Sequence, residues 1–230
     1  LIYCLLLDRD SSLRERQLAY LQQEGDQGIY ELSRSLYEAT TEMDVAARLP
    51  LVDLSLSGLR ELSNSQYERF QRNLDALIRM DERINLFEWT LRKILLQNLN
   101  PQYTGEKRPA PKYGSLKAVE PHIEMVLSLL TYAFADNEQS RGEAFNAACE
   151  VIQMPTVSNV PIEQVSLDAF GKALDELARL KPLLKPRLLK ACLACVTRDG
   201  HYTPAEMELM RAIADTLDCP MPPPYVADQT

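Results

Sequence analysis

Repeatedly along this chain a small polar residue stands three positions ahead of a glutamate, with apolar residues at helical spacing close behind. Four such pairs are Ser12 with Glu15, Ser65 with Glu68, Asn85 with Glu88, and Thr203 with Glu206. This is the pattern of a capping box, in which two side chains satisfy backbone N–H groups that a helix start leaves without partners. Pro204 strengthens the last pair, because its fixed φ and missing N–H suit the first helical position. Behind Asn85 come Phe87, Leu91, Ile94, Leu95 and Leu99; behind Thr203 come Met207, Met210, Ala214 and Leu217. Both series keep the period of one helical face. Glycine is scarce, at 8 residues, while Leu, Ala, Glu and Arg abound, and these lose little freedom in a helix. Alternating Val, Ile and Thr runs are nearly absent. The chain is therefore expected to be all-α, with no sheet.

The same signals predict about ten helices, near residues 12–23, 27–40, 45–61, 65–80, 86–99, 118–135, 138–152, 166–180, 183–198 and 204–218. Leu1 to Leu7 reads as a core helix cut at its start, far short of the ~20 apolar residues that span a bilayer. Pro101, Gly105, Pro109 and Pro111 forbid a helix after Asn100, so 101–117 reads as a linker or long loop. A second break runs from Met154 to Pro161, and Pro220 to Pro224 ends the last helix. One internal repeat stands out. Leu77 to Glu88 parallels Cys195 to Glu206, each with an apolar helix end, an aspartate (Asp81, Asp199), a short turn, a cap residue and a glutamate seven positions on. Two related helical halves follow, 1–100 and 118–219, with 220–230 as a tail and a helix hairpin in each half.

The formal charge of −8, from 33 acidic and 25 basic side chains, repels phosphate backbones and anionic headgroups, which argues against nucleic acid as a partner. The one dense basic patch, Arg179, Lys181, Lys185, Arg187 and Lys190, has the spacing of a solvated corner between helices and not of a groove. Five cysteines, odd in number and without a regular framework, point to a reducing compartment. Cys192 and Cys195 form a C-x-x-C within an apolar helical run, where buried structural thiols are expected and not a redox pair.

Two histidines, His122 and His201, lie too far apart for the zinc-binding H-E-x-x-H spacing, so no zinc site is expected in this chain. His122 reads as a surface or capping residue and His201 as an exposed turn residue. No G-x-S-x-G elbow, Walker loop or G-x-G-x-x-G occurs. The Asp199-Gly200 turn remains as a candidate site. The calcium-loop template fails there, because its twelfth position is Met210; it fails at Asp81 too, with Arg92 in that place. A looser carboxylate site from Asp199, Glu206 and Glu208 competes with a reading in which Glu206 and Glu88 only close capping boxes.

The stretch from Leu193 to Asp215, an apolar helix, an Asp-Gly turn and a glutamate-bearing helix, resembles the TerB-like tellurite-resistance helical domain. Leu5 to Asp10, Arg48 to Asp53 and Asp218 to Pro223 look like the C-terminal region of bacterial membrane-embedded, HtpX-like zinc metallopeptidases. The resemblance implies a non-catalytic accessory domain of a zinc endopeptidase acting in quality control at the cytoplasmic side of the inner membrane. The parent's zinc and its H-E-x-x-H would lie outside this chain, which would itself hold no cofactor. A start at Leu1 and not at methionine fits a soluble piece of a longer protein, joined to the membrane only through the missing N-terminal region. The implied partners are the protease domain, its substrates or another copy. For the TerB-like acids, Asp199, Glu206 and Glu208 match in the second half and Asp81 and Glu88 in the first, where Glu82 replaces the glycine. The alternative function is a divalent-cation sensor built on those acidic turns.

Overall fold

The computed structural model describes residues 1–80, 85–105, 107, 109–197, 201–219 and 221. Among the described residues the chain is all-helical, with eleven α-helices, four short 3-10 turns and a single isolated bridge between Tyr113 and Leu180. The chain divides into two compact units, Leu1–Glu106 and Lys107–Thr230. No helix among the described residues is long and apolar enough to cross a membrane.

Unit 1 contains α1 (Ile2–Leu6), α2 (Ser11–Glu24), α3 (Ile29–Glu42), α4 (Arg48–Leu59), α5 (Asn64–Arg79) and α6 (Leu86–Tyr103). The short α1 packs against α3, α4 and α5, and Ile2, Cys4 and Leu6 are buried in the core. Five residues cannot hold a helix by themselves, because nucleation fixes several dihedrals for one hydrogen bond. Tertiary bonds supply the rest. Buried Gln17 donates from Nε2 to the Leu6 carbonyl at 3.0 Å, and its Oε1 accepts from the Asp8 N–H at 2.8 Å. Tyr37 adds a hydroxyl donated to the Asp8 carbonyl at 3.1 Å.

Two helix caps stand elsewhere than the sequence pattern predicts, and only one of them is a capping box. Helix α2 is capped by Asp10, whose Oδ1 accepts from the Leu13 N–H at 2.9 Å, and not by Ser12. Helix α5 is capped by Ser63 with Gln66, and not by Ser65 with Glu68. In both cases an acceptor two residues upstream takes the cap, and the predicted serine becomes part of the first turn. A third correction concerns Pro101. Helix α6 runs through it to Tyr103, because the proline falls in the last turn, where tertiary contacts hold the backbone. The Tyr103 ring stacks on Tyr67 at 4.1 Å, its hydroxyl donates to the Leu59 carbonyl at 2.6 Å, and Gln102 donates to the Arg60 carbonyl at 2.6 Å.

Unit 2 contains α7 (Glu120–Phe134), α8 (Glu138–Ile152), α9 (Leu167–Leu177), α10 (Lys185–Val196) and α11 (Pro204–Thr216). Helix α7 is its axis, touching α8, α9 and α10, with Ile123, Val126 and Leu127 fully buried. Helices α8 and α10 pack most extensively, and the buried small side chains Ala144, Ala148 and Ala191 leave room for their backbones to approach. Arg187 locks this pair. Its guanidinium donates to the Ile152 and Val151 carbonyls at 2.6 and 3.3 Å, satisfying the C-terminal end of α8. The irregular Met154–Pro161 break is stapled to α7 by Ser128, which accepts from the Val160 N–H at 2.8 Å, and by Tyr132, which donates to the Val160 carbonyl at 3.1 Å.

Leu174 is fully buried on α9. Leu174→Ala should lower stability by about 2–5 kcal/mol, since it removes buried methyl groups and leaves a cavity, and a urea melt followed by helical ellipticity measures it. A loss under 1 kcal/mol would contradict the placement of α9 in the core.

Candidate functional site

The acidic residues singled out by the sequence begin two helices. Glu88 is the third residue of α6 and Glu206 the third residue of α11. Each closes a full capping box. The Glu88 Oε2 accepts from the Asn85 N–H at 3.0 Å, while Asn85 Oδ1 accepts from the Glu88 N–H at 3.0 Å. The Glu206 carboxylate accepts from the Thr203 N–H, and Thr203 Oγ1 accepts from the Glu206 N–H at 3.3 Å. Both glutamates are at least nine-tenths buried, at 9% and 8% exposure. A carboxylate tolerates such burial when charge-assisted hydrogen bonds and the positive end of a helix dipole replace water.

Glu208 is also buried, at 6% exposure. Two positions along a helix are about 200° apart in angle, so Glu206 and Glu208 leave α11 on different sides and do not face one another. Glu88 lies in unit 1 and Glu206 in unit 2. Asp81 and Asp199 lie outside the described residues. Among the described residues, no three His, Cys, Asp or Glu side chains are grouped so as to hold a metal ion. His122 is half-buried in the first turn of α7, and His201 is exposed.

The structure adds what the sequence did not show. Glu206 lines a small cleft with Thr131, Asp136, Ser140 and Cys195. Here the C-terminal ends of α7 and α10 meet the starts of α8 and α11. The cleft holds about 50 Å³, room for a handful of waters and no larger ligand. A cap pair that the sequence reading passed over, Asn137 with Ser140, begins α8 at its edge: Asn137 Oδ1 accepts from the Ser140 N–H at 2.9 Å. Its signal was present, an Asn three residues before a serine, but serine at that position is a weaker cue than glutamate.

The thiols follow the burial the sequence suggested. Cys192 and Cys195 are buried on α10, and all five cysteines are free. Burial pushes the Cys192 thiol up, and it pushes Cys195 up to about 12 from an ordinary 9.0, with smaller contributions from Cys149 and Glu206. Neither is a thiolate near neutral pH, so neither is a ready nucleophile. Cys149 and Cys219, half-buried, are raised chiefly by burial as well.

Thr203→Ala should cost about 0.5–2 kcal/mol with or without divalent cations, because a cap acceptor is lost in either case; thermal melts in chelator and in calcium measure both. The thiols set a second expectation. The folded state holds the Cys195 proton above the ordinary thiol range, so the unfolded state binds fewer protons between pH 9.0 and about 12. Stability should fall as pH rises through that window. Urea midpoints at pH 8, 9.5 and 11 should decline, less steeply in Cys195→Ala; equal slopes in the two proteins would contradict a buried neutral thiol.

No family model matches this chain, and no match is found among curated proteins or among solved structures.

Proposed function

We propose that this chain is a non-catalytic interaction module, the accessory part of a membrane-bound zinc endopeptidase at the cytoplasmic side of the bacterial inner membrane. The parent enzyme and its location come from the resemblance of the quoted motifs. The observation that carries the interaction role lies in unit 1. An apolar groove of about 290 Å³ opens there, walled by Ile2, Ile29, Leu59, Leu62 and Phe70. From Ile29 the apolar stripe continues along α3 to Leu32 and Leu36, which are 56% and 37% exposed. Spacings of three and four place these residues on one helix face. A groove that continues into an exposed helix stripe suits a partner segment with apolar residues at helical spacing, in the manner of helix-in-groove recognition. The non-catalytic half is supported by the chemistry of the polar groups: Glu88 and Glu206 are spent on caps, and the α10 thiols are held protonated.

The repeat gains support from the same geometry. Helices α5 and α6 in unit 1 touch, as do α10 and α11 in unit 2, and the second helix of each pair starts in a capping box with glutamate at its third position. A divalent-cation sensor is the second reading, favoured by Asp136 and Glu206 lining one cleft. A ligand that binds only the folded state adds about 2.7 kcal/mol at a hundredfold excess over its Kd. Capping by Glu206 leads us to expect no such rise with calcium or magnesium. A calcium-dependent increase in melting temperature that Asp199→Asn abolishes would favour the sensor.

The interaction role is tested with the exposed pair. Leu32→Asp with Leu36→Asp should change stability little, as surface substitutions do. The double variant should weaken association with the parent protease domain, measured by titration calorimetry against that purified domain. Unaltered association would sink this reading of the groove.

A further inference from the structure

The basic corner seen in the sequence does not survive as five equivalent charges. Arg179 donates to the Glu176 carboxylate at 3.1 Å, and Arg187 is turned inward onto the end of α8. Lys181 and Lys185 flank the turn that leads into α10, and Lys190 is exposed further along that helix. Lys112 lies across the Tyr113–Leu180 bridge, where the Lys181 N–H donates to the Tyr113 carbonyl at 2.9 Å and the Lys112 N–H donates to the Arg179 carbonyl at 2.7 Å, but its own ammonium donates to the Tyr113 hydroxyl at 2.8 Å and is spent there. Of the acidic neighbours, Glu176 is held below the usual carboxylate range by the Tyr113 hydroxyl first and then by Arg179 and Lys112. Asp218 and Lys185 both lie close enough to Cys219 to act on its thiol, in opposite directions.

At the apex of this corner, the short 3-10 turn Pro182–Leu184 leads into α10. Leu183 is 93% exposed there, more than any other large apolar side chain described. The turn is stiff: Pro182 and Pro186 fix φ on either side, and the Leu184 N–H donates to the Lys181 carbonyl at 2.9 Å. An apolar side chain is thus held outward on a rigid knuckle, with lysines set back around it, in a chain whose net charge is −8.

We propose that the Pro182–Leu184 knuckle is a contact point for an anionic membrane surface. A side chain this exposed stands on a convex projection, so a protein partner would have to supply the whole pocket, whereas a bilayer interface receives a protruding apolar group without one. Lysine stems can lie along the lipid boundary with their ammonium groups among the headgroups. Charge decides the lipid: Lys181 and Lys185 attract anionic headgroups, while the remaining acidic surface is repelled and orients the knuckle toward the bilayer. The site is independent of the unit 1 groove, and its test does not involve the protease domain.

The full chain is floated with vesicles of phosphatidylcholine alone and with added phosphatidylserine, at low and high salt. We expect binding to the anionic vesicles only, weakened by salt. Leu183→Asp should reduce the partition coefficient roughly tenfold or more, as loss of a buried leucine would. Lys181→Glu with Lys185→Glu should reduce it at least as far, each lysine contributing roughly fivefold. Unchanged melting temperatures would show that both variants are folded; Leu183→Ser serves if Leu183→Asp is not. The proposal is overturned if anionic vesicles bind no protein, or if the variants bind as the parent chain does. It is also overturned if soluble glycerophosphoserine competes fully for binding that Leu183→Asp leaves intact, which would mark a headgroup pocket and not a bilayer contact.

Discussion

A carboxylate buried against the start of its own helix fixes both where that helix begins and the chemistry left available to the carboxylate. Glu88 and Glu206 each accept the N–H of the residue that caps them, and each is cut off from bulk water by the core that forms behind it. The box determines where the chain stops turning and begins a helix. From that point the 3.6-residue period carries Leu91, Ile94, Leu95 and Leu99 in α6, and Leu209, Met210, Ile213 and Leu217 in and after α11, into buried positions. The acids most inviting as metal ligands in the sequence are therefore the ones most committed to backbone hydrogen bonds.

The polar interior of the chain is mostly occupied in the same way. Gln17 closes the end of α1, Asn73 donates to the Glu24 carbonyl and accepts from Tyr20, Ser128 receives Val160, and Arg187 satisfies the end of α8. Each side chain pairs backbone or side-chain groups that burial would otherwise strand, at a cost of roughly 1–3 kcal/mol apiece. Unusual exposure, by contrast, is apolar: Leu32 and Leu36 on α3, and Leu183 on its knuckle. In this chain the surface that departs most from expectation is hydrophobic, and the functional proposals rest on it for that reason.

The helical class and all eleven helices, the short α1 included, were legible because periodicity and caps are local. A serine, asparagine or threonine with a glutamate three positions on acts within one turn, whatever surrounds it. That held for α6 and α11. It failed where two acceptors compete two residues apart, as with Asp10 against Ser12 and Ser63 against Ser65, since the choice depends on how the preceding loop approaches. The passage of α6 through Pro101 was invisible for a different reason: the bonds that hold its last turn come from Leu59, Arg60 and Tyr67, more than thirty residues away in the chain.

The sequence by itself determined that this protein is helical, where most of its helices begin, and that its thiols on α10 are core residues, because each of these follows from interactions within a few turns. The tertiary structure alone decided which charges face outward and which side chains share a cleft. Arg187 and Lys185 are two residues apart, yet one is folded onto α8 and the other stays on the corner. Asp136 and Glu206 are seventy residues apart, yet they line one small space. Such pairings depend on how helix ends converge when the core packs, and no local period encodes that convergence.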